Sequence, residues 1–140
     1  MSWRISFLGK ISATREGTTL SRFESSRAVA LLARLALFPR RTHPREELIE
    51  LLWPEIDPAV GRNRLRNALS VLRRELEPPG TVGTLFLVDR HSVRFHPQAF
   101  VCDARELERA IQHRRWTEAT ALRHGELLPG FYDDWICQER

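Results

Sequence analysis

Four leucines, Leu65, Leu69, Leu72 and Leu76, recur at spacings of four, three and four residues. On a helix advancing about 100° per residue, that spacing places them on one narrow arc, a face that requires burial. Asn63, Asn67, Ser70 and Arg74 repeat the same spacing on the opposite arc, and Arg62, Arg64, Arg66 and Arg73 lie on the flanks. Asp57-Pro58 supplies a capping side chain and a first-turn proline, and Pro78-Pro79-Gly80 ends the run. A two-faced helix is therefore predicted over 58–77. Its outer face has no acid before Glu75 and Glu77. A face that serves only for solvation usually mixes signs, whereas this one offers amides, a hydroxyl and guanidinium groups. Asparagine can bond bidentately to adenine and arginine to guanine, while flanking arginines reach phosphates.

The neighbouring segments restrict the fold further. Trp3, Ile5 and Phe7 alternate with polar residues, a second extended segment covers 11–14, Glu16-Gly17 makes a turn, and 18–20 follows as a third strand. Ser25 and Ser26 can cap a helix whose stripe is Ala28, Leu31, Leu32, Leu35 and Phe38, stopped by Pro39. Pro44 opens another helix, with Glu46 and Glu47 in its first turn and Leu48, Leu51 and Leu52 on its apolar face. Leu85, Leu87, Val93 and Phe95 flank the polar turn Asp89-Arg90-His91-Ser92, as in a β-hairpin. Asp103-Ala104-Arg105-Glu106 reads as a capping box before a helix, and a second short helix follows from Thr117 to Arg123. The expected fold is α+β: a winged helix-turn-helix with an N-terminal antiparallel sheet, three helices and a C-terminal β-hairpin wing, then a short helical pair. The expected domains are 1–100 and 101–140.

Charge separates along the same line. Residues 1–100 hold 16 basic and 10 acidic residues, net +6, whereas 101–140 hold 6 and 8, net −2. The basic excess marks the first hundred residues as the polyanion-binding part. Within it, Arg90, His91 and Arg94 lie at or near the hairpin tip, placed to grip a minor groove or its phosphates. Asn63 and Asn67, toward the start of the 58–77 helix, are the leading base-reading candidates, since winged helices usually insert that end.

Other function classes find little support. His43, His91, His96, His113 and His124 are scattered over loops and helix ends and read as surface residues. No hydrolase elbow, zinc-protease motif or glycine-rich phosphate loop appears, so neither an enzyme nor a metal or cofactor is expected. Asp133-Asp134 is a paired acid in a loop with a helix-capping role open to it. Cys102 and Cys137 read as two reduced thiols. Without a signal peptide or spanning segment, the expected location is the cytoplasm, with no membrane partner.

Three segments resemble the SARP-type (antibiotic regulatory protein) activators: Arg45 to Pro54 with its Leu51-Leu52-Trp53-Pro54 ending, Asn63 to Leu76, and Gly125 to Trp135 with Leu127-Leu128-Pro129-Gly130-Phe131. That resemblance implies an OmpR/PhoB-type winged helix followed by the first helical pair of a tetratricopeptide-like bacterial transcriptional activator domain. It also implies binding of double-stranded DNA at promoter direct repeats, a side-by-side homodimer on DNA, and contact with RNA polymerase. In similar winged helices the loop between the second and third helices faces the polymerase. Here that loop offers Glu55 and Asp57, with Trp53 as a core anchor. The competing reading is a protein-interaction module built on the helices of 103–124 and the apolar Leu127, Leu128, Phe131, Tyr132 and Trp135.

Overall fold

The structure is a computed structural model that describes residues 3–23, 25–77, 85–96, 98–123 and 125–140. The Pro78-Pro79-Gly80 stop and His124 lie outside the described residues. In chain order the elements are β1 (Trp3–Ser6), β2 (Ser12–Arg15), β3 (Thr18–Leu20), α1 (Ser26–Leu37), β4 (His43–Pro44), α2 (Arg45–Leu52) and α3 (Pro58–Leu76). There follow β5 (Phe86–Val88), β6 (Ser92–Phe95), β7 (Phe100–Cys102), α4 (Asp103–Gln112), α5 (Trp116–Leu122) and α6 (Asp134–Glu139). The fold is α+β, with the winged-helix order expected from the sequence. Contacts divide the chain into two units, Phe23–Ala99, and Met1–Arg22 together with Phe100–Arg140. That division differs from a cut at residue 100, because β7 pairs with β1 and so joins the N-terminal sheet to the C-terminal helices.

In Phe23–Ala99, α1 begins where the Ser25 hydroxyl accepts the Ala28 amide at 3.2 Å. The sides of α1, α2 and α3 that carry Leu31, Leu32, Leu35, Leu48, Leu52, Leu65 and Leu72 are wholly enclosed. Gly61 lets α2 and α3 approach closely, since a Cβ there would lie 2.4 Å from Ile49 Cγ2. Strands β4, β6 and β5 form an antiparallel sheet in that order, with Phe86 and Phe95 tilted against each other at 5.0 Å. Glu77, immediately after α3, is buried, and its Oε2 accepts the amides of Leu85 (2.8 Å) and Phe86 (3.0 Å). The end of α3 is thereby tied to the first strand of the wing.

The other unit is built on a four-stranded sheet of order β3-β2-β1-β7. The expected antiparallel meander is present, and β7 adds a parallel edge. The meander turn uses Glu16 (φ 48) and Gly17 (φ 83), both left-handed as a two-residue hairpin of matching twist requires. Asp103 and Glu106 do not form the expected capping box. The N-cap of α4 is Cys102, without a side-chain cap bond. The Asp103 carboxylate accepts from Phe7 N (2.8 Å), Leu8 N (3.2 Å) and Ser6 Oγ (2.7 Å), while Glu106 pairs with Arg4 at 2.7 Å. Long-range donors of this kind outcompete the local backbone because the end of β1 would otherwise bury two unpaired amides.

The segment after α5 returns to the residues that follow β1. Leu128 N donates to Phe7 O at 2.8 Å and Gly9 N to Glu126 O at 2.9 Å. Arg140 closes the loop by donating to the carbonyls of Leu127, Leu128 and Phe131. Asp103→Ala removes the acceptor from two buried amides and should cost roughly 2–4 kcal/mol in urea unfolding. A loss below about 1 kcal/mol would show that water replaces the carboxylate.

Candidate nucleic-acid interface

The helix α3 is rotated as its leucine spacing requires. Gly61, Leu65, Ala68, Leu69, Leu72 and Leu76 are buried, whereas Arg62, Asn63, Arg64, Arg66, Asn67, Ser70 and Arg74 are exposed. The Asp57 carboxylate starts the helix by accepting the Ala59 amide at 2.9 Å. The neighbouring side chains partly pre-arrange this surface. Arg62 Nε lies 3.3 Å from Glu46 Oε1 and Arg66 Nη1 lies 3.4 Å from Asn63 Oδ1, both at the surface. Such exposed pairs are weak and yield readily to a stronger anion.

Arg73 differs from its neighbours. Its Nε lies 3.7 Å from Glu77 Oε1, with 38% of its side chain exposed. It shares the carboxylate that anchors β5, so its charge is partly committed within the fold. The expectation that it acts chiefly on phosphate overlooked this partner, because Glu77 reads in sequence as one more surface acid.

The wing tip is ordered by one side chain. Asp89 Oδ1 accepts the amides of His91 (2.7 Å) and Ser92 (2.8 Å), and the Ser92 hydroxyl bonds the same carboxylate. Those donors hold the Asp89 carboxyl below the ordinary carboxylate value. Arg90, His91 and Arg94 are exposed around this turn. The tip is also held from below, as Arg45 N donates to His91 O at 2.8 Å and Arg45 Nε to Asp89 O at 2.9 Å.

These bonds bring Arg90 and His91 to the same groove as Arg62 and Arg66 of α3, with Arg45 and Glu46 of α2. Arg94 lines a separate groove with Thr42, Leu87 and Ser92. Arg64 and Asn67 line a third, with Arg27, Trp53 and Ser25. Arg45 and Arg27 were not singled out by sequence. Arg45 follows Pro44 without any helical stripe to mark it, and its place beside the wing depends on the two-residue strand β4.

Beyond the interface, Trp53 is buried, as a core anchor requires, and Glu55 is exposed with φ 67. The surface reading of the histidines fails at His43. It is 1% exposed in β4, with Nε2 3.2 Å from Phe38 O. A lone histidine beside basic residues reads as polar, and the pairing of His43 with Val93 that buries it is not local. Among the described residues, no group of three or more histidine, cysteine or acidic side chains could hold a metal ion. None of the described helices is long and apolar enough to cross a membrane. Cys102 and Cys137 are free, and burial pushes the Cys102 thiol up to about 12.

Burial, followed by the nearby Arg34 and Arg41, pulls His43 below the usual histidine value, against the opposing influence of the Phe38 carbonyl and Glu47. A base with a depressed folded-state pKa is stabilising while neutral, above the unfolded value near 6.5, and that contribution is lost as pH falls through the folded value. Melting temperature should therefore drop between pH 7 and 5, and His43→Gln should flatten this part of the profile. An equally steep profile in the variant would assign the acid sensitivity to other groups.

No family model matches the chain. In sequence it is 40% identical over 75 residues to the regulatory protein AfsR of Streptomyces coelicolor, a match covering 54% of this chain and 8% of AfsR. In structure it resembles Mycobacterium tuberculosis EmbR, solved in complex with a low-affinity phosphopeptide, with a TM-score of 0.68 and 21% identity. That likeness covers 90% of this chain and 37% of the EmbR chain and bears on the fold. The chain thus spans a small part of the length of either protein. The resemblance read from the motifs is borne out by the match to AfsR: over those 75 residues the chain is related to a regulatory protein.

Proposed function

We propose that Phe23–Ala99 is the sequence-specific DNA-binding module of a transcription regulator. In this reading α3 enters the major groove and the 89–94 wing meets the adjacent minor groove. The observation that carries it is the outer face of α3, where Asn63, Asn67, Ser70 and Arg74 stand exposed without an acid from Pro58 to Arg74. Asn63 and Asn67 read bases, with Ser70 as a short adaptable contact. Arg62, Arg64, Arg74, Arg90, His91 and Arg94 hold the backbone, Arg66 can serve either backbone or base, and Arg73 supports the last turn while adding charge.

The resemblance to regulators extends the reading to activation. Promoter direct repeats would be occupied by two copies side by side, and Glu55 would face RNA polymerase while Asp57 holds the start of α3. The helices of 101–140 would begin a tetratricopeptide-like activator region in the cytoplasm. The exposure of Ile111, Trp116 and Tyr132 favours a partner-binding role for that region as well, whereas Leu127, Leu128 and Trp135 of the apolar cluster are buried and not available for it.

Selection of bound sequences from a random duplex pool, followed by affinity at two salt concentrations, tests the reading. Enrichment of a repeated motif with a log–log salt slope near −0.9 per neutralised phosphate is expected. A flat salt response without enrichment would transfer the case to protein interaction. On the selected site, Asn67→Ala should cost about 1–3 kcal/mol and relax preference at one base pair. The same loss on random DNA would remove Asn67 from base reading.

A further inference from the structure

We propose that Arg45, with Arg62, Arg66 and Arg90, forms one seat for a single phosphodiester group, and that the bonds from Arg45 to the wing hold this seat in shape. The inference rests on the DNA-binding reading and adds to it a residue at the start of α2 and a defined anion site. Four guanidinium groups from three elements, together with His91, border a groove of about 270 Å³. Glu46 is the one acid lining it, and its Oε1 is engaged by Arg62 at 3.3 Å. Like charges gathered with so little compensation repel one another, and an anion between them removes that cost. A phosphodiester has two unbridged oxygens, each able to accept from a planar fork.

Arg45 is placed for both roles. Its Nε is bound to the Asp89 carbonyl at 2.9 Å and its backbone amide to the His91 carbonyl at 2.8 Å. The terminal nitrogens of the guanidinium stand outside those two bonds. The pairing of Pro44 with Ser92 fixes the same edge of the wing one residue earlier. Movement of Arg45 would therefore carry Arg90 and His91 with it. The phosphate seat and the angle of the wing to α3 are thus one construction, not two independent contacts.

The test uses the full chain with Arg45→Gln, Arg45→Lys, Arg90→Ala and the Arg45→Gln/Arg90→Ala pair. Affinity for a random-sequence duplex is measured across a salt series. In parallel, the arginine Nε–H NMR signals of the unaltered protein are followed during titration with inorganic phosphate. Arg45→Gln should reduce the salt slope by about 0.9. Arg45→Lys should keep the slope but bind more weakly, because lysine has no Nε fork with which to hold the wing. The paired change should cost less than the sum of the single changes. Phosphate should shift the Arg45 and Arg90 signals together.

An unaltered slope in Arg45→Gln would overturn the seat, and so would a slope in Arg45→Lys that falls as far as in Arg45→Gln, because lysine keeps the charge and loses only the Nε bond to the wing. If the unaltered protein shows no salt-steep duplex binding, the DNA-binding reading falls and the phosphate titration decides the seat by itself. Joint shifts would then uphold it as an anion site, and unmoved signals would overturn it. The same titration decides the matter if Arg45→Gln fails to fold.

Discussion

A buried carboxylate is costly unless its oxygens are satisfied, and the helix-and-wing arrangement depends on one such group. Glu77 lies directly after the final residue of α3 and accepts the first two described amides of the wing, Leu85 and Phe86. Arg73, one turn earlier, lies against its other oxygen. The carboxylate ties the end of α3 to the first described residues of the wing by two charge-assisted hydrogen bonds. The solvent-facing surface of α3 and the wing therefore occupy a definite relation before any ligand arrives. A surface that is already arranged loses less entropy when it binds.

The wing is held at both of its ends by different chemistry. At its base the tie is the Glu77 carboxylate, and at its tip it is a guanidinium and an amide from Arg45. Between them the sheet β4-β6-β5 transmits the constraint through paired strands, with Phe86 against Phe95 behind it. The exposed turn needs no apolar packing of its own, because Asp89 closes it internally. This leaves its side chains available to solvent or to a ligand, while the backbone beneath them is fixed.

Much of this was legible in the sequence because it is periodic or punctuated. The leucine spacing correctly oriented α3, Asp57 and Ser25 marked helix starts, and Glu16-Gly17 marked the hairpin. The residues that sequence misjudged have distant partners. Asp103 looked like a local cap and instead serves β1, ninety-odd residues away. His43 looked like a surface residue and is buried by a two-residue strand too short to show a period. Arg45 was not singled out and Glu77 was read only as an acid ending the outer face of α3, because the groups they bind are brought near only by the fold. Local pattern reports which face of an element is apolar, but it carries no record of which buried charge meets which backbone.

The parallel pairing of β1 with β7 has a kinetic corollary. Phe23–Ala99 is continuous in the chain, whereas the other unit is assembled from segments on either side of that 77-residue excursion. Closing a disordered loop of such length opposes pairing by roughly 4 kcal/mol of chain entropy. Once the intervening residues have condensed, most of that entropy has already been surrendered, and the two strands meet at much lower cost. The split unit is therefore a late and conditional structure. A substitution that loosens the helices between its halves would also weaken the sheet, without touching any residue in it.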